Sequence, residues 1–370
     1  MRVELLDYDL PEAAIAQRPA QRREDARLLV VQPAGVEHRQ VPDWVRLVPE
    51  GALVVLNDTR VRRARLQAKK STGGNVELLF LSARAVTPEM QVWSVIGHAN
   101  RPLRAGTQLE LGTARMTVLE RAPGPEFSVE VRGVEDTDAF IERHGQLPVP
   151  PYIRRGADAD DAERYQTVFA EQLGSAAAPT AGLHLTEAML EELRGRGVRV
   201  ARVTLHVGAG TFLPVRALDL DQHPMHAESF SVSEELAAEV RAARRRAAPV
   251  VAVGTTVVRA LESARDPECS GHVRPGSGQT RLLIQPGYGF EIVDALLTNF
   301  HAPRSTLLAL VSAFIGAQRC AAAYRAALEA GYRFLSYGDA MWLPLRLGRG
   351  LTADLPLGGI GCGPGLTHAV

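Results

Sequence analysis

Histidines in two loop-like segments are the first candidates for acid/base chemistry. His184 follows the small residues 178–182 and precedes a helix that begins near Thr186, and His226 lies within the segment 223–228. Because imidazole titrates near neutral pH, either histidine can serve as a general acid or base. A histidine buried against backbone, or one solvated in a loop, is the structural alternative.

A possible metal site overlaps the second segment. His223, His226 and Glu228 lie close enough in sequence to ligate a metal ion. Pro224 argues against a regular helix of the kind on which H-E-x-x-H motifs bind zinc. We therefore favour acid/base use of this segment and expect no metal.

Two turns could hold an anionic or ribosyl group. Residues 208–211 end a β-branched run in Gly-Ala-Gly-Thr, but they lack the third glycine and the following helix of a dinucleotide-binding turn. Residues 254–256, Gly-Thr-Thr, join an apolar strand to a helix whose free amides suit a carboxylate or phosphate. The alternative is a turn that holds no ligand, in which glycine supplies a positive φ or threonine caps the helix.

Polar groups follow further apolar runs at residues 57–60, 297–306 and 337–339. In open α/β sheets, ligands bind beyond the carboxyl ends of the strands. Since several of these segments end predicted strands, we expect them to form one shared site. In particular, residues 180–184 and 299–304 should line the same cleft.

The elements that position these groups alternate after residue 151. A strand at 250–253, a helix from Thr255, a helix from Ser305 to Phe314 and a strand through Tyr332, Phe334 and Ser336 predict α/β architecture. Between residues 76 and 131 the hydrophobic period changes to two, and five short runs predict a small antiparallel barrel or sandwich.

The predicted organisation is a discontinuous, barrel-like α/β main domain, residues 1–66 and 148–347, with an inserted small all-β barrel domain at 67–147. The glycine-rich tail, residues 348–370, lacks a core-forming pattern and is expected to be loose.

Charge and cysteine content restrict the function further. The 370 residues include 42 Lys and Arg and 42 Asp and Glu, so the formal net charge is zero. Any contact with RNA must therefore come from a local basic patch rather than from an overall positive charge. The basic groups at 60–70 and 241–246 could hold phosphates or form solvated surfaces. Three scattered cysteines, 269, 320 and 362, favour a reducing cytoplasm. The longest apolar stretch, 307–316, is shorter than the ~20 residues that span a bilayer.

Blocks spread over most of the chain carry a family resemblance: Asp7–Glu12, Asn57–Val61, Leu147–Ile153, Tyr165–Phe169, Ala178–Thr186, Thr204–Val215, Gly254–Glu262, Asp294–Ser312 and Tyr332–Met341. In this order they resemble the S-adenosylmethionine:tRNA ribosyltransferase-isomerase family of queuosine biosynthesis. The departures at Phe169, Leu185 and Ala302 are changes of packing residues and leave the polar groups intact.

The resemblance implies an α/β barrel-like fold with an inserted β-barrel and an enzyme that consumes S-adenosylmethionine as a ribosyl donor, without a further cofactor or metal. It implies transfer of the ribosyl group to 7-aminomethyl-7-deazaguanine at the wobble position of tRNAs for Asn, Asp, His and Tyr. The products would be epoxyqueuosine-tRNA, adenine and methionine. We expect a cytoplasmic monomer that does not contact membranes.

For that reaction, the candidate site residues form two groups. His184 and His226 are the acid/base candidates, with Glu228 or Asp339 orienting them. Expected contacts to S-adenosylmethionine, the modified base or the anticodon loop come from Asn57, Asp58, Arg60, Gly208, Gly210, Thr211, Gly254, Thr255, Thr256, Asn299, His301 and Arg304.

Three alternatives remain on composition and motifs alone. The first is an α/β enzyme acting on a free nucleotide or sugar phosphate. The second is a metal hydrolase built on His223, His226 and Glu228, and the third is a non-catalytic RNA-binding protein that reads RNA with its β insert.

Overall fold

The computed structural model describes residues 1–87, 90–119, 126–208, 210 and 215–344. Thr211 and the tail 348–370 lie outside the described residues. The strands are β1 Arg27–Gln32, β2 Gly35–Gln40, β3 Leu53–Asn57, β4 Thr59–Val61, β5 Arg65–Lys70, β6 Asn75–Val86, β7 Gln91–Ala99, β8 Gln108–Leu111, β9 Ala114–Val118, β10 Glu126–Arg132, β11 Gln172–Ser175, β12 Arg199–Leu205, β13 Glu228–Val232, β14 Val250–Val253, β15 Gly276–Thr280, β16 Ala295–Asn299 and β17 Ala340–Leu343. The α-helices are α1 Trp44–Leu47, α2 Thr137–His144, α3 Ala159–Arg164, α4 Glu187–Gly195, α5 Glu234–Arg245, α6 Thr255–Ser263, α7 Thr306–Ile315 and α8 Ala317–Glu329.

The larger sheet has nine strands in the order β15-β13-β12-β3-β14-β16-β17-β1-β2. Its centre, β12-β3-β14-β16, is parallel. Alternate side chains of β3 enter two different cores, Leu53 and Val55 on one face and Val54 and Leu56 on the other. Both faces are therefore covered, which explains why these strands read as continuous apolar runs.

The inserted domain is a closed barrel in the order β10-β7-β6-β5-β8-β9. Alternate residues of β10 are buried, among them Phe127 and Val129, as the period-two pattern predicts. The sequence pattern does not predict the sixth strand, β5, because its basic residues obscure the alternation of apolar and polar side chains. Its apolar residues Leu66 and Ala68 are buried in the barrel core.

The mixed α/β class and the inserted β-barrel are thus confirmed, and two details differ. Within the described residues the larger sheet is open, with β15 and β2 at its edges, rather than closed like a barrel. No strand runs through Tyr332, Phe334 and Ser336. Phe334 forms only an isolated bridge with Ile15, because Tyr332 and Phe334 pack as an aromatic cluster on Phe300. The strand follows later, as β17.

Among the described residues no single helix is long and apolar enough to cross a membrane. Helices α7 and α8 reach that length and composition together, but they are bent by 113°. Their apolar side chains, such as Leu310 and Ala323, belong to the main core.

Candidate active site

A cleft with an empty volume of about 820 Å³ opens at the carboxyl ends of the parallel strands β14 and β16. Its walls come from residues 177–181, 254–256, 298–302 and 335–336. The predicted convergence of strand-end segments is therefore confirmed for three of them: the 178–186 block, the Gly-Thr-Thr turn and the 297–306 block.

The Gly-Thr-Thr turn places the amino end of α6 at this cleft. Gly254 has φ 94°, a backbone conformation that favours glycine, and its N–H donates to the Leu297 carbonyl at 2.8 Å. Thr255 and Thr256 follow as the first residues of the nine-residue helix. The first amides of a helix have no partner within it, so they can face a ligand.

Residues 180–184 form a 3-10 helix that brings His184 to β16. Asn299 Nδ2 lies 3.2 Å from His184 Nε2 and also donates to the Leu335 carbonyl. The Oδ1 atom of Asn299 is buried without a partner, although the residue lines the cleft. Burial lowers the pKa of His184 to about 4, so the ring is neutral at pH 7. His184 itself lies behind Asn299 and does not line this cleft.

His301 does line the cleft. Its Nε2 lies 2.9 Å from Thr298 Oγ1, and the backbone is held by the hydroxyls of Tyr8 and Tyr324. Burial lowers the pKa of His301 to about 3. The tyrosine contacts fix the ring position, and desolvation keeps the ring neutral.

An arginine–glutamate pair connects this cleft to a neighbouring one. Arg259, on α6, lines both, and its Nη1 donates to Glu228 at the start of β13. Nε donates to the Leu282 carbonyl at 3.0 Å, while Nη2 is buried and has no hydrogen-bond partner among the described residues. Gly208 N–H donates to the other oxygen of Glu228 at 2.9 Å. The pair therefore leaves one guanidinium nitrogen available to a ligand.

The neighbouring cleft contains His223, His226 and Gly210. His226 Nδ1 lies 3.2 Å from Glu126 Oε1, which comes from β10 of the inserted barrel. A Cβ on Gly210 would lie 2.5 Å from the His226 ring, so only glycine leaves room for it. The carboxylate can orient the imidazole in the manner of a catalytic dyad.

The described residues hold no group of three or more His, Cys, Asp or Glu side chains arranged for a metal ion. Glu228 is bound to Arg259, and His226 is bound to Glu126. The arrangement predicted for a hydrolase built on His223, His226 and Glu228 is therefore not formed.

Several predicted substrate contacts lie away from the cleft. Asn57 uses both side-chain ends to join β3 to β12 and α6, through Leu205 and Thr256. Asp58 accepts from Thr204 Oγ1 at 2.7 Å, and burial raises its pKa. These side chains support the walls rather than forming them.

Three charged candidates are also remote. Asp339 is fully buried and accepts from the backbone N–H groups of Arg27 and Arg333. Arg60 is exposed on β4, and Arg304 is exposed with φ 54°. Neither arginine lines the cleft, because residue type and strand-end position do not determine where a side chain points.

Sequence reasoning missed Arg259, Tyr152 and Glu126. Arg259 shares α6 with buried apolar residues and one other buried charge, Glu262, and a charge among apolar helix residues is a usable signal. Tyr152 lines the cleft with its hydroxyl 2.6 Å from Ser336 Oγ. Glu126 alternates with buried residues on β10, so only the docking of the barrel reveals its role.

A cleft at the carboxyl ends of parallel strands, lined by neutral imidazole and a buried guanidinium, defines an α/β enzyme. A family model described as "Queuosine biosynthesis protein" matches residues 3–343. The chain belongs to this family of queuosine biosynthesis proteins, and the resemblance predicted from its motifs is confirmed.

Individual relatives agree with that assignment. A protein of Sorangium cellulosum named S-adenosylmethionine:tRNA ribosyltransferase-isomerase is 52% identical over 366 residues, which cover 92% of this chain and 98% of the relative. One of the same name from Anaeromyxobacter dehalogenans is 50% identical over 348 residues, covering 93% and 99%. The crystal structure of S-adenosylmethionine tRNA ribosyltransferase from Thermotoga maritima has a TM-score of 0.51 and 32% identity, covering 91% and 99%.

Proposed function

We propose that this chain transfers and isomerises the ribosyl moiety of S-adenosylmethionine onto 7-aminomethyl-7-deazaguanine at the wobble position of tRNA. The products are epoxyqueuosine-tRNA, adenine and methionine, and the acceptors are the tRNAs for Asn, Asp, His and Tyr. Family membership supports the reaction. The observation that carries it is the convergence of the 178–186, 254–262 and 294–312 blocks on one cleft.

The chemistry needs a proton acceptor, a neutral amine and a protonated leaving group. The sulfonium acidifies the adjoining ribose carbon, so a base can remove its proton and open the sugar with loss of adenine. The aminomethyl nitrogen then attacks the opened sugar as the neutral amine, and methionine leaves when a sugar oxygen displaces the sulfonium and closes the epoxide. Groups that titrate near neutral pH suit these proton transfers.

His226 is our first candidate for the acid/base group. It is half-buried and oriented by Glu126, and it shares its cleft with the Arg259–Glu228 pair. His184 is neutral and reaches the main cleft through Asn299, which makes it a candidate proton acceptor or a positioning residue. The negative charge of Asp339 raises the pKa of His184 against the larger effect of burial.

Arg259 is our candidate receptor for the methionyl carboxylate. Its partnerless Nη2 is buried at the junction of the two clefts, where a carboxylate oxygen would complete its hydrogen bonding. The amides of Thr255 and Thr256 and the backbone at Gly208 and Gly210 remain candidates for the ribose.

The modified base would meet Asn299, whose buried Oδ1 has no partner, and His301. Exposed Arg60 and Arg304 would contact RNA outside the cleft. In the basic group at 60–70, Arg62 is paired with Asp138 and Arg65 lies 3.6 Å from Glu77. That leaves Arg60, Arg63 and Lys69 as its exposed charges.

We further propose the main-domain bounds 1–66 and 148–347, an insert at 67–147, a cytoplasmic location and a monomeric state. Cys269 and Cys320 are free thiols, which supports a reducing compartment.

The test is release of free adenine when the protein is incubated with S-adenosylmethionine and tRNA that carries the precursor base. Unmodified tRNA is the control, since it lacks the aminomethyl acceptor. Adenine release that depends on the precursor supports the proposal. A non-catalytic RNA-binding protein would bind the tRNA and release nothing.

A further inference from the structure

A second, smaller pocket lies behind the contact between His184 and Asn299. Its empty volume is about 290 Å³, and Ser336 lines both this pocket and the main cleft. The lining contains no aspartate or glutamate but has four arginines: Arg22, Arg23, Arg164 and Arg333. We call it the arginine pocket.

Two of these guanidinium groups are held by neutral partners. Arg23 donates to the carbonyls of Leu183 and Glu163 at 3.0 and 3.1 Å. Arg164 donates to the carbonyls of Gln21 and Ala20 at 2.9 and 2.7 Å. Within the described part of the chain, neither guanidinium has a carboxylate within 4.0 Å, so hydrogen bonds to neutral carbonyls fix their geometry without a direct ion pair. The charge of Glu163 acts on Arg23 only from beyond that distance.

The other two arginines are already partly neutralised. Arg22 binds Asp25 through two nitrogens at 3.0 and 2.8 Å. Arg333 lies 3.7 Å from Asp339. The excess positive charge of the pocket therefore resides on Arg23 and Arg164.

That excess charge is unfavourable without a ligand. Burial and the neighbouring Arg164 charge both lower the pKa of Arg23. An anion placed between the two groups would offset this repulsion. Guanidinium groups match phosphate oxygens in a paired, planar geometry that lysine cannot reproduce.

We propose that the arginine pocket binds a phosphate group, and that in the substrate complex this is a backbone phosphodiester of the tRNA next to the base in the cleft. The assignment to tRNA rests on the proposed function, in which tRNA is the substrate that carries phosphate. Ser336 lines both sites, so the arginine pocket is adjacent to the main cleft.

The experiment compares Arg23→Gln/Arg164→Gln with the wild-type protein. The matched control, Arg194→Gln, removes a single charge from an exposed position of α4. Affinity for an anticodon stem-loop RNA is measured over a range of KCl concentrations, together with the S-adenosylmethionine KM. We expect the double variant to bind RNA about tenfold more weakly, with a salt slope shallower by about 0.7 per lost phosphate contact.

The S-adenosylmethionine KM of the double variant and the RNA affinity of Arg194→Gln should both stay at the wild-type value. Arg23→Lys/Arg164→Lys should recover part of the RNA affinity, which separates charge from folding. Wild-type RNA affinity and salt slope in a folded double Gln variant would overturn the proposal.

Inorganic phosphate distinguishes the source of the phosphate group. Phosphate should raise the melting temperature of the wild-type protein more than KCl of equal ionic strength, and the double Gln variant should lose this increase. If phosphate protection is lost but RNA affinity is unchanged, the tRNA assignment is overturned. These binding measurements need no turnover, so a wild-type protein that releases no adenine would refute the proposed function separately.

Discussion

Replacing Arg259 by lysine tests the carboxylate receptor most directly. Lysine keeps a positive charge for Glu228 but has a single nitrogen, so an ammonium group placed on Glu228 does not also reach the Nη2 position, as the forked guanidinium does. A charge-assisted hydrogen bond contributes roughly 1.5–3 kcal/mol. Losing it from Nη2 should raise the S-adenosylmethionine KM by about 10- to 100-fold.

Arg259→Ala would change both ligand binding and protein stability, so its effect on KM would not report binding alone. Glu228 is 5% exposed, and removing the Arg259 charge from this buried carboxylate should cost about 3–5 kcal/mol. The double variant Arg259→Met/Glu228→Gln removes both charges and should recover much of that stability. It should still bind S-adenosylmethionine weakly, because Nη2 is gone.

The assay measures adenine release for KM and kcat, with urea unfolding on the same samples. Arg244→Lys is the matched control, because Arg244 also joins a carboxylate, Asp294 at 2.6 Å, to backbone carbonyls away from the clefts. It should change stability without changing the S-adenosylmethionine KM. An Arg259→Lys protein with the wild-type S-adenosylmethionine KM would refute the assignment.

Three further outcomes follow from the same geometry. Gly210→Ala places a Cβ against the His226 ring and should lower kcat at least about tenfold with little loss of stability; unchanged kcat would contradict the role of that ring. Asn57→Ala leaves buried backbone groups of Leu205 unpaired and should lower the free energy of unfolding in urea by about 1–3 kcal/mol. If these bonds are the cause, Asn57→Asp should lose less stability than Asn57→Ala. The pKa values of His184 and His301 are lowered by burial to about 4 and about 3, below the usual 6.5, so the unfolded chain takes up protons first as pH falls. Stability should therefore be complete above pH 6.5 and decline below it by up to about 1.4 kcal/mol per pH unit for each histidine; His301→Gln should make the decline shallower, and a pH-independent free energy of unfolding would exclude buried neutral rings.

Local patterns predicted the strands and helix starts that lie in strongly periodic or capped segments. Val250–Val253, the start of α6 at Thr255 and the Ser305 cap of α7 are all where the residue types indicate. The strand predicted at 332–336 is not formed, because alternating aromatic residues fit either strand pairing or packing in a hydrophobic core. Which of the two forms depends on Phe300, more than thirty residues earlier.

The candidate site, like the fold, could be predicted only in part from the sequence. Strand-end position and residue type correctly brought the 178–186, 254–256 and 297–306 segments to one cleft. They did not separate Asn299 and His301, which line it, from Asn57 and Arg304, which do not. Side-chain direction at a strand end depends on the neighbouring strands and helices, so a linear pattern does not contain it.

The amino-acid sequence by itself determined the α/β class, the inserted barrel and the family, because periodicity, caps and motif order are properties of the chain taken locally. Tertiary structure alone decided that Arg259 bonds Glu228 with one nitrogen left over, that Glu126 reaches across from the barrel to His226, and that four arginines surround one pocket. Each of these depends on contacts between residues far apart in the chain. Burial then sets their charge states, because desolvation acts on a group only after the fold has removed its water.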